Sequence, residues 1–302
     1  MSAQPLEKQT QATPAMVEDH ITVVSGCDKL VDFLDAIRGK IIVSFDVEGV
    51  NLSRIGQPTL CSVGISSSDH VHVFVFDISD NAAEHQRRQI NTLKTLLEAT
   101  TISKIIHDCR QDSDSLNEFF GIRIVNVFDT SIYNMEIKGT SQRDSLNNTL
   151  AYYGCPINPD RHNKAFYEER PNYWLERPLT AEQIISAAQD VTSLFLLRER
   201  IVHSMTKVGK IKENEIRKTS EEAISEFREK RFVQFMEVPK KKLWFVTGPG
   251  GSILKQIAIM SNTAVSYRNK EGFLILANTQ ADLDKAKKLM KDAARGRFLN
   301  RV

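Results

Sequence analysis

No apolar run in this 302-residue chain approaches the roughly 18 residues that a membrane-spanning helix needs. The polar opening stretch MSAQPLEKQTQATPAMVEDH has no apolar core of the kind a secretory leader carries, and residues 1–20 read as a disordered lead-in. Cysteine is sparse. Cys27, Cys61, Cys109 and Cys155 are scattered without a Cys-x-x-Cys pair, which supports neither a zinc site nor a disulfide framework. These absences lead to the expectation of an intracellular protein with reduced thiols, cytoplasmic or nuclear, and with no membrane partner. Internal repeats and extended low-complexity tracts are missing as well.

Charge of one sign is not in excess over the whole chain, where 40 Lys and Arg face 38 Asp and Glu. The two ends differ, however. From Glu237 to Val302 there are 13 basic and 5 acidic residues, a balance of +8, which leaves −6 for residues 1–236. A basic C-terminal piece on a mildly acidic body suggests a polyanionic partner for that piece, with a solvated charged surface as the plain alternative. Hydrophobic residues at 41% and charged residues at 26% are ordinary for a globular chain. The length exceeds a typical single domain of about 100–200 residues, so two domains are expected.

The stretch DKLVDFLDAIR (28–38) has helical spacing. KIIVSFDVE, PTLCSVGIS and the alternating HVHVFVFDI follow as three strands in succession, a meander. QRRQINTLKTLLEA reads as an amphipathic helix, ISKIIH as a short strand, DSDSLNEFFG as a helix closed by Gly121, and IVNVFDT as another strand. Helical patterns return at 145–153 and 180–202, separated by the loop-like CPINPDRHNKAFYEERPNYW. A strand-rich start followed by alternating strand and helix makes an α/β domain with a mixed sheet over 21–204. Residues 205–231, dense in charge of both signs, read as a solvated helical linker that contains the domain boundary.

Candidate chemistry begins at SFDVEGVNLS (44–53). Asp46 and Glu48 are two residues apart on a strand, so they share a face. Two like charges side by side call for something positive between them, and a divalent cation is the economical answer. A strand end emerging into solvent would be the bland one. Further along, KIIHDCRQDSDSL puts Asp112 at the start of a helix, and Asp190 lies beside the apolar stripe of Ile184, Ala187, Ala188, Val191, Leu194 and Phe195. A carboxylate so placed is costly unless it is ion-paired or metal-bound.

Asp46, Glu48, Asp112 and Asp190, in this order and with these flanks, resemble the DEDD superfamily of 3′–5′ exonucleases in its RNase D-like branch. FDVEG is similar to that family's first motif, HDCRQDSDSL to its second, and WLERPLT with AAQD to its third and its lead-in. The resemblance spans roughly 20–203. It implies an RNase H-like fold and two divalent metal ions, Mg²⁺ or Mn²⁺, held by the four acids. Asp46 would bridge the ions, Glu48 and Asp190 would sit on one, and Asp112 would support the other. Two such ions can activate a water and stabilise the leaving 3′ oxygen. The chain departs from the pattern at one point. The family places Tyr four residues, or His five residues, before the last Asp, and here those positions hold Ser186 and Ile185. His107 is a substitute candidate, with a structural role as the alternative.

In the C-terminal piece, Gly248-Pro249-Gly250-Gly251 lies between two apolar helical patterns, TAVSYR and EGFLILAN read as a hairpin, and TQADLDKAKKLMKDAAR as a closing helix. This order resembles the KH domain, a small α+β module, over 232–296. That family uses its GxxG loop to let a nucleic-acid backbone approach where a Cβ would block it. A plain helix-turn-helix linker is the alternative. The variable loop positions are Pro249 and Gly250 rather than basic residues, so backbone attraction falls to Lys255 and the Lys240–Lys242 run. GPGGSILK lacks the Gly-Lys-Ser/Thr ending of a phosphate-cradling P-loop.

The pairing resembles eukaryotic proteins that fuse a 3′–5′ exonuclease domain with a KH domain. It implies a metal-dependent exonuclease acting on nucleic acid, single-stranded RNA by preference and with DNA not excluded. The rival expectation is a nucleic-acid-binding adaptor that keeps the fold with weakened or lost catalysis.

Overall fold

The computed structural model of the chain describes residues 20–80, 83–140, 142–159, 161–205, 210–268 and 272–297. The expected lead-in falls outside these residues apart from His20.

Nine strands and twelve α-helices are defined among the described residues. The first sheet is built from β1 (Ile21–Val24), β2 (Ile42–Val50), β3 (Gln57–Ser66), β4 (Val71–Asp77), β5 (Ser103–Ile106) and β6 (Val127–Asp129), in the order β1-β4-β3-β2-β5-β6. β2, β3 and β4 form the expected antiparallel meander. β1 joins β4 in parallel, and β5 and β6 extend the sheet in parallel from β2. The fold is therefore mixed α/β around a central mixed sheet. β3 lies at the centre of the meander, and eight of its ten residues are buried, as a strand covered on both faces requires.

The alternation of β2 sorts its residues onto two cores. Val43, Phe45 and Val47 face the larger one, with α1 (Cys27–Ile37), α2 (Glu84–Leu97), α3 (Arg110–Phe120), α4 (Thr130–Lys138) and α8 (Leu194–Met205). Across the sheet, Leu60, Val73 and Val75 pack on Tyr173, Trp174 and on Ala187, Ala188 and Val191 of α7 (Ala181–Thr192). Alanines at the contact let α7 approach the strands closely. A capping box starts this helix: Thr180 Oγ1 accepts from Gln183 N, and Gln183 Oε1 accepts from Thr180 N.

Three expectations are corrected. The single helix pattern over 180–202 is two helices, broken at Ser193, whose hydroxyl donates to Pro156 O instead of continuing one straight rod. The helical pattern at 145–153 is α5 (Leu146–Tyr152) as expected, but the loop-like region after it contains α6 (Lys164–Glu169) and runs into a 3₁₀ turn at Tyr173–Leu175. The charged segment is helical, as α9 (Lys210–Glu226), but it is not solvated on all sides. Ile216, Ala223 and Ile224 are buried in the first core, because they form a stripe that the surrounding charge conceals.

A second, antiparallel sheet has the order β7-β9-β8, from β7 (Phe232–Glu237), β8 (Thr263–Arg268) and β9 (Gly272–Ala277). With α10 (Leu243–Thr247), α11 (Ser252–Ser261) and α12 (Gln280–Ala294), the chain order is β-α-α-β-β-α. One face of β9 packs on the helices, and the other places Leu274 and Leu276 against Phe227, just beyond α9.

Candidate active site

β2 aims Asp46 and Glu48 toward α7, and α7 presents Asp190 to them from its buried face. Each of the three offers a carboxylate oxygen, and these oxygens all lie within 4.8 Å of one another. A break in the β2–β3 register between Glu48 and Gly49 ends the regular ladder beside the pair. Gly49 is required there, since a Cβ on it would stand 2.2 Å from Gln57 O.

Asp112 enters from the first turn of α3 and is buried. The turn that aims it is fixed by Asp129, which accepts from Asp108 N at 3.0 Å and Cys109 N at 3.1 Å while capping α4. Asp112 stands outside the three-acid group. Its carboxyl is nonetheless pushed well up, by burial first and then by the charges of Asp46, Asp108 and Glu48. Burial, followed by the charge of Asp190, pushes Asp46 up to about 7. Burial and then Asp46 and Asp190 raise Glu48 well above the carboxylate range. Asp46, Glu48 and Asp190, three oxygen ligands held close together, form a set that a hard divalent cation fits.

A side chain that periodicity does not single out supplies positive charge here. Arg161 forms an ion pair with Asp190, from Nη1 to Oδ2. Burial works against its charge, yet Asp190, Glu48 and Asp46 hold its pKa above the ordinary arginine value. The other oxygen of Asp190 accepts from Asn158 Nδ2 at 2.7 Å. The phenol of Tyr167, on α6, is also close enough to feel the cluster, and burial first, then Glu48, raises its pKa. Asn158, Arg161 and Tyr167 all belong to the strap between α5 and α7. The one signal of them in the sequence is a group of polar residues among prolines.

Ser186 is buried on α7, and its carbonyl accepts from Asn158 Nδ2 at 3.2 Å. His107 has both ring nitrogens engaged, Nδ1 with Thr130 Oγ1 at 2.8 Å and Nε2 with Asp144 O at 3.0 Å. It pins the turns around β5 and α4 in place. The WLERPLT phrase has a similar anchoring use. Arg177 grips Asp77 of β4 through Nε at 2.7 Å and Nη2 at 2.8 Å, holding the lead-in to α7 against the sheet.

The glycine-rich loop joins α10 to α11. Gly248, Gly250 and Gly251 have φ of +68°, +56° and +78°, so all three occupy conformations that side chains disfavour. The loop faces the first domain across a cleft of about 440 Å³, with Gln142 and Arg143 on one wall and Pro249, Gly250 and exposed Lys255 on the other. Gln142 Nε2 donates to Gly250 O at 2.6 Å across it.

Clustered acids lie where β2 of a mixed sheet meets α7, and the chain belongs to the 3′-5′ exonuclease family, whose model matches residues 21–206. Among curated relatives, the human piRNA biogenesis protein EXD1 is 29% identical over 180 residues, 56% of this chain and 34% of that protein. Ribonuclease D of Gluconacetobacter diazotrophicus is 27% identical over 190 residues, 63% of this chain and 44% of that protein. The chain thus spans less than half the length of these relatives. Trypanosoma brucei RNase D, solved in complex with RNA U12, shares the fold at a TM-score of 0.56 and 19% identity, covering 69% of this chain and 70% of that one.

Proposed function

We infer that the chain is a metal-dependent 3′–5′ exonuclease that removes nucleotides from single-stranded RNA, with its C-terminal domain acting as a KH-type strand-binding module. The observation that carries this reading is the convergence of Asp46, Glu48 and Asp190 within 4.8 Å, with buried Asp112 coupled to them by charge. Asp46, Glu48 and Asp190 would hold one ion, and Asp112 is the residue available to a second. Such ions lower the pKa of a bound water and polarise the phosphodiester. The β2 and α7 backbones fix the acids before any ion arrives. The KH-type reading rests on the β-α-α-β-β-α order and the three positive-φ glycines between α10 and α11. The matched RNase D and EXD1 relatives, by their names, favour RNA as the substrate class.

A second reading, a strand-binding adaptor with weak catalysis, is favoured by the Arg161–Asp190 ion pair and by Ser186 in place of the family's tyrosine. Incubating 5′-labelled single-stranded RNA with the protein and Mg²⁺ or Mn²⁺ separates the two. A ladder shortening from the 3′ end, absent in Asp46→Ala, supports the exonuclease. Binding without cleavage in either metal establishes the adaptor and defeats the first reading.

A further inference from the structure

Both carboxylate oxygens of Asp190 are already engaged, one by a neutral donor and one by a cation. Its Oδ1 accepts from Asn158 and its Oδ2 is paired with Arg161. An ion entering among Asp46, Glu48 and Asp190 therefore meets the positive charge of Arg161, which faces all three acids, whereas Asn158 is neutral, and the two partners are not equally movable. Asn158 is buried, and its backbone is locked to Asn147, accepting from Nδ2 at 2.8 Å and donating to Oδ1 at 3.0 Å. Its side chain also bonds Ser186 O, so it is tied to α7 at two points. The Arg161 side chain is 38% exposed, against 2% for Asp190. The residue after it is anchored independently: His162 stacks on Phe166 with centroids 3.5 Å apart, and its Nε2 lies 2.9 Å from Glu182 Oε1 on α7. Asn158, three residues before Arg161, and His162, directly after it, are thus anchored, while the partly exposed guanidinium is free to swing outward by a change of rotamer.

A guanidinium released from a carboxylate needs another anion. Its planar fork suits a phosphate as well as it suits a carboxylate, and a single strand entering an exonuclease site brings phosphates to the mouth where Arg161 is exposed. We propose that Arg161 is a resident cation of the acidic site, which it occupies in the free protein and leaves for a substrate phosphate when a divalent ion binds. Ion loading and strand binding are then coupled through this one side chain. Without a phosphate, the ion competes with Arg161 for Asp190. With one, the competitor is drawn away and the ion binds more tightly, and linkage makes the effect reciprocal. This rests on the reading of the acids as an ion site, and extends it to a residue that decides when that site is open.

The test uses the full chain, titrated with Mn²⁺ and followed by electron paramagnetic resonance of the free ion. Titrations are run with and without a saturating nucleoside 5′-monophosphate, which carries the phosphate but no bond left to cut. Arg161→Gln should bind Mn²⁺ at least about 5-fold more tightly than the parent in the absence of nucleotide, with Arg161→Lys between them, as expected for a coupling of ordinary size. Nucleotide should tighten Mn²⁺ binding to the parent by a similar factor and to Arg161→Gln by clearly less. Melting temperatures give a second readout. Removing the resident cation should lower the metal-free midpoint and enlarge the rise produced by Mn²⁺. Equal Mn²⁺ affinities in parent and Arg161→Gln, or an equal nucleotide effect in both, overturns the proposal and leaves the ion site standing. Mn²⁺ binding by neither protein overturns the ion site itself, and this proposal with it.

Discussion

Asp46 is where sequence and charge meet most directly. A strand places residues two apart on one face, so its alignment with Glu48 follows from their spacing alone. What the sequence does not carry is the identity of the cation that answers them. Arg161 is 29 residues from Asp190 in a strap without helical or strand period, and only the folded chain brings the two together. The raised pKa of Asp46, about 7, has a consequence for stability. An unfolded Asp titrates near about 3.9. Between those values the folded chain holds a proton that the unfolded chain has lost, so this group's contribution to stability falls as pH rises through that window. Asp108 titrates in the opposite sense. Burial would raise it, but Arg110 and then Arg143 hold it well below the carboxylate range. Comparison with Asp46→Asn isolates the effect. In chelator, the parent should lose at least about 1 kcal/mol relative to the variant between the two pKa values, a shift of about 2–4 °C in melting temperature for a chain of this size. Parallel melting curves for the two proteins across that window would refute it.

At the scale of elements, what was legible depended on length and period. The β2–β4 meander and the Gly121-capped helix were readable, because alternation and a terminal glycine are local signals. β1, ITVV, is wholly β-branched but only four residues long, too short to establish a strand without the parallel edge that β4 offers it. The α9 reading failed for another reason. Ile216, Ala223 and Ile224 do recur at helical spacing, but the dense surrounding charge favoured a solvated interpretation. α7 is the element on which the site depends most, because its alanines set its distance from β2 and β3. Ala187 is fully buried at that contact, three residues before Asp190. Ala187→Leu adds volume where no rotamer escapes, at a cost of about 1–3 kcal/mol. It should also push Asp190 away from Asp46 and Glu48, so that Mn²⁺ affinity falls along with the melting temperature. A variant that melts lower yet binds Mn²⁺ as the parent does would show that helix spacing does not control the acid cluster.

The two domains do not behave as beads on a flexible string. Arg54 donates to Phe227 O and, at 2.5 Å, to Lys230 O, just beyond α9, while Arg110 and Arg143 approach Glu226 at 3.5 Å and 3.7 Å. Gln142 then reaches the glycine-rich loop itself. In the KH-type reading, the local concentration of a strand at the first domain would therefore be set by a fixed cleft rather than by tether length alone. Sequence reasoning found the loop through its glycines, but Gln142 was invisible to it, since the contact spans 108 residues. That contact also separates two substitutions that look equivalent in the sequence. A Cβ on Gly250 would fall 1.8 Å from Gln142 Nε2, so Gly250→Asp disturbs the domain contact as well as the loop. A Cβ on Gly251 meets nothing within 4 Å, although its φ of +78° makes any side chain strained there. Gly251→Asp is thus the cleaner probe, placing a negative charge in a cleft bordered by Lys255 and Arg143. In the KH-type reading it should weaken binding of single-stranded RNA, measured by fluorescence anisotropy, and lessen the salt dependence. The slope of log affinity against log salt should become shallower by about 1, the signature of one lost phosphate contact. Mn²⁺ binding at Asp46, Glu48 and Asp190 should be unchanged, which certifies that the first domain is intact. Unaltered RNA affinity and slope in Gly251→Asp, with the fold retained, would remove the glycine-rich loop from the strand's path and leave the exonuclease domain to bind RNA alone.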